Sequence, residues 1–132
     1  MSDTSVDPHA PGAKLDAGKV RPALIIEGMA RALWAVSEVA TFGAAKYTDG
    51  GWVLVENGSQ RYADAQYRHM LKRSVGEDAD PESGLTHLAH EAWNALARLD
   101  LAIRRAEEEA AAENPVTIRV QTFGSDDFSL SM

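Results

Sequence analysis

Two stretches of this chain concentrate the side chains that do chemistry. The first holds Arg61, Asp64, Arg68 and His69; spacings of three and four residues put Arg61, Asp64 and Arg68 on one helical face. Such a trio is either a local ion-pair ladder, contributing a few tenths of a kcal/mol, or a carboxylate for a divalent cation flanked by guanidiniums that grip phosphate. The second holds His87, His90, Glu91, Asn94 and Arg98. At 100° per residue, His87, Glu91, Asn94 and Arg98 fall at about 180–240° from Leu85, and His90 at about 140°. Solvated helix faces favour Lys and Glu, whereas this one gathers histidine and amide, which points to a site. Between the two stretches runs the acidic turn 76–84, with Glu77, Asp78, Asp80 and Glu82. It offers either helix capping or hard oxygen ligands for magnesium or manganese.

Further candidates lie upstream. Lys14, Lys19 and Arg21, with Asp16 among them, bring three cations into eight residues, as a phosphate clamp or as an ordinary charged loop. Tyr47 and Trp52 sit in a glycine-rich loop, where a tryptophan either plugs the edge of a core or stacks on a base. No GxxxxGK[ST], GxGxxG or HExxH string occurs, so P-loop, dinucleotide-binding and zincin chemistries are excluded.

Helices must position these residues. The segment 29–43 spaces Met29, Leu33, Val36 and Ala40 helically and meets Gly43 as a stop. The segment 46–58, with Gly50-Gly51 and Asn57-Gly58, is a loop. A second helix spans about 60–75, with Gly76 just past its end. A third is expected from Asp80 as N-cap and Pro81 as first residue, running to about 113. Its apolar stripe, Leu85, Leu88, Ala92, Leu96, Leu99 and Ile103, repeats at intervals of 3, 4, 4, 3 and 4. Asn114-Pro115 stops it. Beyond, 116–123 alternates apolar and β-branched residues with polar ones, as a strand does, and a lone strand needs a partner. The expected organisation is a mobile tail at 1–13, a helical domain at 14–113 and a C-terminal strand or arm at 114–132.

Composition narrows the partners. The 132 residues carry 13 basic and 20 acidic side chains, a net charge of −7, which argues against a nucleic-acid partner. There is no cysteine, so disulfides, zinc thiolates and cysteine nucleophiles are ruled out. At 45% hydrophobic residues a core is within reach, and no apolar run approaches the ~20 residues of a membrane span. A cytoplasmic protein with no membrane partner is expected.

Four strings, in order, resemble one family: Lys14-x-Asp16-x-Gly-Lys19-x-Arg21-Pro22; Thr41-Phe-Gly-Ala-x-Lys46-Tyr47 with Trp52; Arg61-Tyr-x-Asp64-Ala-x-x-Arg68-His69; and Glu82-Ser-Gly-Leu-x-His87-Leu-Ala-His90-x-x-x-Asn94. Together, over about 14–101, they resemble the phage dATP/dGTP diphosphohydrolases, a branch of the all-α, MazG-like nucleoside triphosphate pyrophosphohydrolases. The resemblance implies an all-α, oligomeric helical bundle, a homodimer or homotetramer. It implies hydrolysis of a purine deoxynucleoside triphosphate (dGTP or dATP) to the monophosphate and pyrophosphate with Mg²⁺ or Mn²⁺. Some family members supply dGMP for 2-aminoadenine nucleotides in the infected host cell.

By the same resemblance, Asp64, Glu82 and His87 are the catalytic candidates. Substrate binding falls to Lys14, Asp16, Lys19, Arg21, Lys46, Tyr47, Trp52, Arg61, Arg68, His90 and Asn94. The wider group's ExxE and ExxD metal motifs are not reproduced: Glu91-x-x-Asn94 is the nearest echo, and Glu38 has no partner acid. The metal candidates are therefore Glu38, Asp64, Glu82, His87 and Glu91. The rivals are a non-catalytic helical oligomerisation module and a phosphohydrolase that releases tripolyphosphate.

Overall fold

A computed structural model describes residues 5–114, and the strand expected at 116–123 lies outside them. The described residues are helical: α1 (Ala23–Ile26), α2 (Ala30–Lys46), a single 3₁₀ turn (Gly51–Leu54), α3 (Gly58–Ser74) and α4 (His87–Glu113). Among the described residues the fold is all-α, as the periodicities predict. No helix among the described residues is long and apolar enough to cross a membrane.

α3 and α4 form an antiparallel pair, and α2 packs along α4. Where α3 ends, Gly76 takes φ 100°, its N–H meets the Arg73 carbonyl and the Glu77 N–H meets the Lys72 carbonyl. These paired bonds satisfy the last carbonyls of the helix, and only glycine takes that φ without strain. The expected end of this helix is therefore the real one. α2, by contrast, does not stop at Gly43 but continues to Lys46 before the chain reverses over 48–51.

The start of α4 differs more. Asp80 does cap, accepting the Ser83 N–H at 2.9 Å, but it caps a single turn. Gly84 then takes φ 74° and the turn closes, with the Gly84 N–H on the Asp80 carbonyl and the Asp80 N–H on the Leu85 carbonyl. α4 begins only at His87, with Thr86 in extended conformation as its N-cap and its hydroxyl accepting from the Ala89 N–H. The residues 77–86 are thus a folded loop between α3 and α4, pinned by an Ala79–Thr86 bridge.

The core is small and mixed. Its buried hydrophobic residues among those described are Val39, Ala63, Ala89 and Ala97. Trp52, Tyr62 and Trp93 pack edge-on or tilted at centroid distances of 5.4–6.4 Å, and the Tyr62 hydroxyl donates to the Trp52 carbonyl at 2.6 Å. Trp52 is therefore a plug on the core edge. On α4 the polar face is the one turned inward: His87, His90, Glu91 and Asn94 are buried. Its aliphatic stripe points out, with Leu88, Leu96 and Leu99 exposed by 58%, 49% and 57%.

Candidate functional site

The inward face of α4, the second half of α3 and the 77–86 loop enclose one polar cluster. His87 has no exposed surface at all. Its Nε2 lies 2.8 Å from Glu77 Oε2, so the carboxylate holds the proton on that nitrogen and leaves a lone pair on Nδ1. That Nδ1 faces Nδ1 of His69 at 2.8 Å. His69 in turn stacks on His90, with ring centroids 4.4 Å apart and planes 9° from parallel. His90 Nε2 is 2.7 Å from Ser83 Oγ and 4.0 Å from Asp80 Oδ2. One ligand atom from each of His69, Asp80 and His87 lies within 4.8 Å of the other two.

The electrostatics follow from burial and crowding. Burial lowers the pKa of His69, and the neighbouring His90 and His87 lower it further. Burial likewise lowers His90, partly offset by the Asp80 carboxylate. Partial burial pushes Asp80 upward, but bonds from Ser83 and the nearby imidazoles outweigh it and hold the carboxyl below its usual range. These shifts favour uncharged imidazoles at His69 and His90 beside an ionised Asp80, and deprotonated donors are what a divalent metal requires.

Around this cluster the structure sorts the remaining candidates. Glu91 is engaged by Arg73 in a two-pronged pair, with Nε–Oε2 at 2.6 Å and Nη2–Oε1 at 3.0 Å. The guanidinium holds the Glu91 carboxyl below the ordinary range. The Asn94 amide donates to the His90 carbonyl at 2.8 Å, bracing the turn of α4 that carries that histidine. Glu82, exposed on the loop, forms an ion pair with Lys46 at the end of α2, and Lys46 also lies 5.2 Å above the Tyr47 ring. Glu38 lines an open groove of about 550 Å³ together with Trp34, Phe42 and Ser83. Phe42 meets His90 edge-on, so this groove abuts the histidine cluster.

Other candidates stay outside. Asp64 is exposed and bonded to Gln60 on its own helix, Arg61 reaches the Glu56 carbonyl, and Arg68 is exposed. Lys14, Asp16, Lys19 and Arg21 are exposed in the segment before α1. Conversely, the cluster recruits His69 and Ser83, which spacing does not nominate as ligands, and it takes Glu77 and Asp80 from the acidic turn that spacing offers as either caps or oxygen ligands. The signal for them is a histidine near the end of one helix and two on the start of the next, joined by a short acidic loop.

An all-α domain with a buried histidine–carboxylate cluster beside an open groove is thus the class that fold and site define. The chain belongs to the dATP/dGTP diphosphohydrolase family: the model of that family's N-terminal part matches residues 9–111. No curated protein and no solved structure matches the chain significantly.

Proposed function

We propose that this protein hydrolyses a purine deoxynucleoside triphosphate, dGTP or dATP, to the monophosphate and pyrophosphate. The observation that supports the reading most is the family match over 9–111, which spans every residue of the cluster and of the groove. In this reaction water attacks the α-phosphorus and the bond from that phosphorus to the bridging oxygen of the β-phosphate breaks. Pyrophosphate leaves with the electron pair, and the proton of the water passes to a base. A divalent ion such as Mg²⁺ or Mn²⁺ would neutralise charge on the triphosphate and acidify the water.

The donor set fits a divalent ion such as Mn²⁺, because His69, Asp80 and His87 bring two imidazole nitrogens and a carboxylate together. The chain's own residues do the rest. Glu82, with an exposed carboxylate on the loop, would take the proton, and Glu38 lines the groove. Lys46, an exposed cation tied to Glu82 of the loop, supplies positive charge to the non-bridging oxygens. Trp34, 72% exposed on the groove wall, offers a flat apolar face to a purine. Asp64 has no part in this arrangement.

The resemblance extends the reading to dGMP supply for 2-aminoadenine nucleotides in the cytoplasm of a phage-infected cell. The outward aliphatic stripe of α4 supports an assembly of at least two subunits, since a run of large exposed leucines is what a subunit interface covers. The test is a panel of dNTPs with Mg²⁺ or Mn²⁺ and chromatographic identification of products. Pyrophosphate with dGMP or dAMP is the expected result. Tripolyphosphate with the nucleoside, or no turnover of any dNTP, overturns the reading. A scattering mass near 14.3 kDa for the active protein overturns the assembly.

A further inference from the structure

We propose that His69, His87 and Asp80 form a site selective for a transition-metal ion of the Mn²⁺, Co²⁺, Ni²⁺ or Zn²⁺ type over Mg²⁺, with Glu77 as the carboxylate that orients His87. The site is the one on which the proposed hydrolysis rests, and the inference concerns which residues and which class of ion it takes. Three observations carry it.

The first is the His69–His87 contact. Two Nδ1 atoms face each other at 2.8 Å inside the protein. Bonds of about 2.1 Å place neighbouring nitrogens of a six-coordinate ion about 3.0 Å apart, against about 3.4 Å around a tetrahedral one. The observed separation needs only a small outward shift to match the six-coordinate value. The second is the outer support. A metal-bound histidine almost always gives its other N–H to a carboxylate or carbonyl. Glu77 Oε2 at 2.8 Å from His87 Nε2 is that arrangement, on a histidine with no solvent contact to orient it otherwise. The third is the ligand chemistry. Two imidazoles and one carboxylate suit transition ions, whereas Mg²⁺ takes oxygen ligands and keeps its waters.

The positions come from three separate parts of the chain. His69 sits one turn before the end of α3, Asp80 in the loop, and His87 on the first turn of α4. The loop's bonds, Asp80 to Ser83 and the His87 N–H to the Asp78 carbonyl at 2.8 Å, fix Asp80 opposite the two rings. The same atoms, without an ion, make a simple relay in which Glu77, His87 and His69 share protons in a chain. The two alternatives differ in what a metal does.

The test uses the full-length protein freed of metal with a chelator and titrated with Co²⁺ and Mn²⁺. Visible absorption of Co²⁺ and electron paramagnetic resonance of free Mn²⁺ give the affinities. One site per chain is expected, with at least tenfold weaker binding of Mg²⁺ in competition. His69→Gln and Asp80→Asn should each weaken Co²⁺ binding at least tenfold, and Glu77→Gln by about 10–100-fold, the usual loss for an orienting partner.

Because His87 is buried, its variants could unfold, so wild-type protein supplies a second measurement. Bound Co²⁺ should shift the imidazole resonances of His69 and His87 and leave those of His9 unmoved. Absence of Co²⁺ and Mn²⁺ binding, full affinity in His69→Gln and Asp80→Asn, or unshifted His69 and His87 resonances would each overturn the site. If the metal binds as described but no dNTP is hydrolysed, only the proposed function fails. If dGTP turns over with Mg²⁺ at full rate in His69→Gln, this site fails while the function stands.

Discussion

Replacing Arg73 by alanine is the most direct probe of the polar packing beneath α4. Glu91 is buried, its side chain 11% exposed, and both of its oxygens are held by the Arg73 guanidinium. Removing one partner of a fully buried pair costs about 3–5 kcal/mol, because a desolvated charge remains. Here the guanidinium is 39% exposed, so water reaches that edge of the pair and the loss is smaller. A cost of about 2 kcal/mol follows, within the range for stripping a charged group of its hydrogen-bond partner. For a chain of this size that lowers the melting temperature by roughly 6–12 °C.

The pH dependence adds a sign. Arg73 holds the Glu91 carboxyl below its ordinary value of 4.5, so the pair's stabilisation is fully present above that pH and is lost as the carboxyl protonates below it. The difference in urea unfolding free energy between wild type and Arg73→Ala should therefore be full at pH 7 and shrink towards pH 3. Circular dichroism with urea at both pH values measures it. A difference under about 0.5 kcal/mol at pH 7, or one that does not change with pH, would refute this account of the inward face of α4. It would also return Glu91 to the metal candidates.

Three further outcomes are expected. Thr86→Ala should cost about 1 kcal/mol in urea unfolding, because Thr86, rather than Asp80, is the N-cap of α4. Glu82→Ala should abolish dGTP hydrolysis with unchanged circular dichroism, whereas Asp64→Ala, on the outward side of α3, should retain activity within a factor of about two; the reverse pattern would move the base to Asp64. Leu96→Glu combined with Leu99→Glu should lower the mass seen by light scattering, whereas unchanged mass and melting temperature would mean that the stripe faces water in the working protein.

Much of the framework is legible in the sequence alone. Intervals of three and four set the helices, Gly76 set the end of α3, and the clustering of His87, His90 and Asn94 on one strip of α4 marked that strip as unusual. These are local properties, set by backbone geometry within a few residues. Periodicity states which residues share a face but not which face meets a neighbour, and only packing showed that α4 buries its histidines and exposes its leucines. Asp80 shows the same division. Its capping chemistry is written in Asp80-Pro81, yet whether one turn or a whole helix follows depends on Gly84 and on the loop's bonds back to Asp78. The cluster itself joins His69 to His87 across 18 residues and Glu77 to His87 across 10. Distances of that kind are set by how two helices and their loop close on each other, so only the tertiary structure decided them.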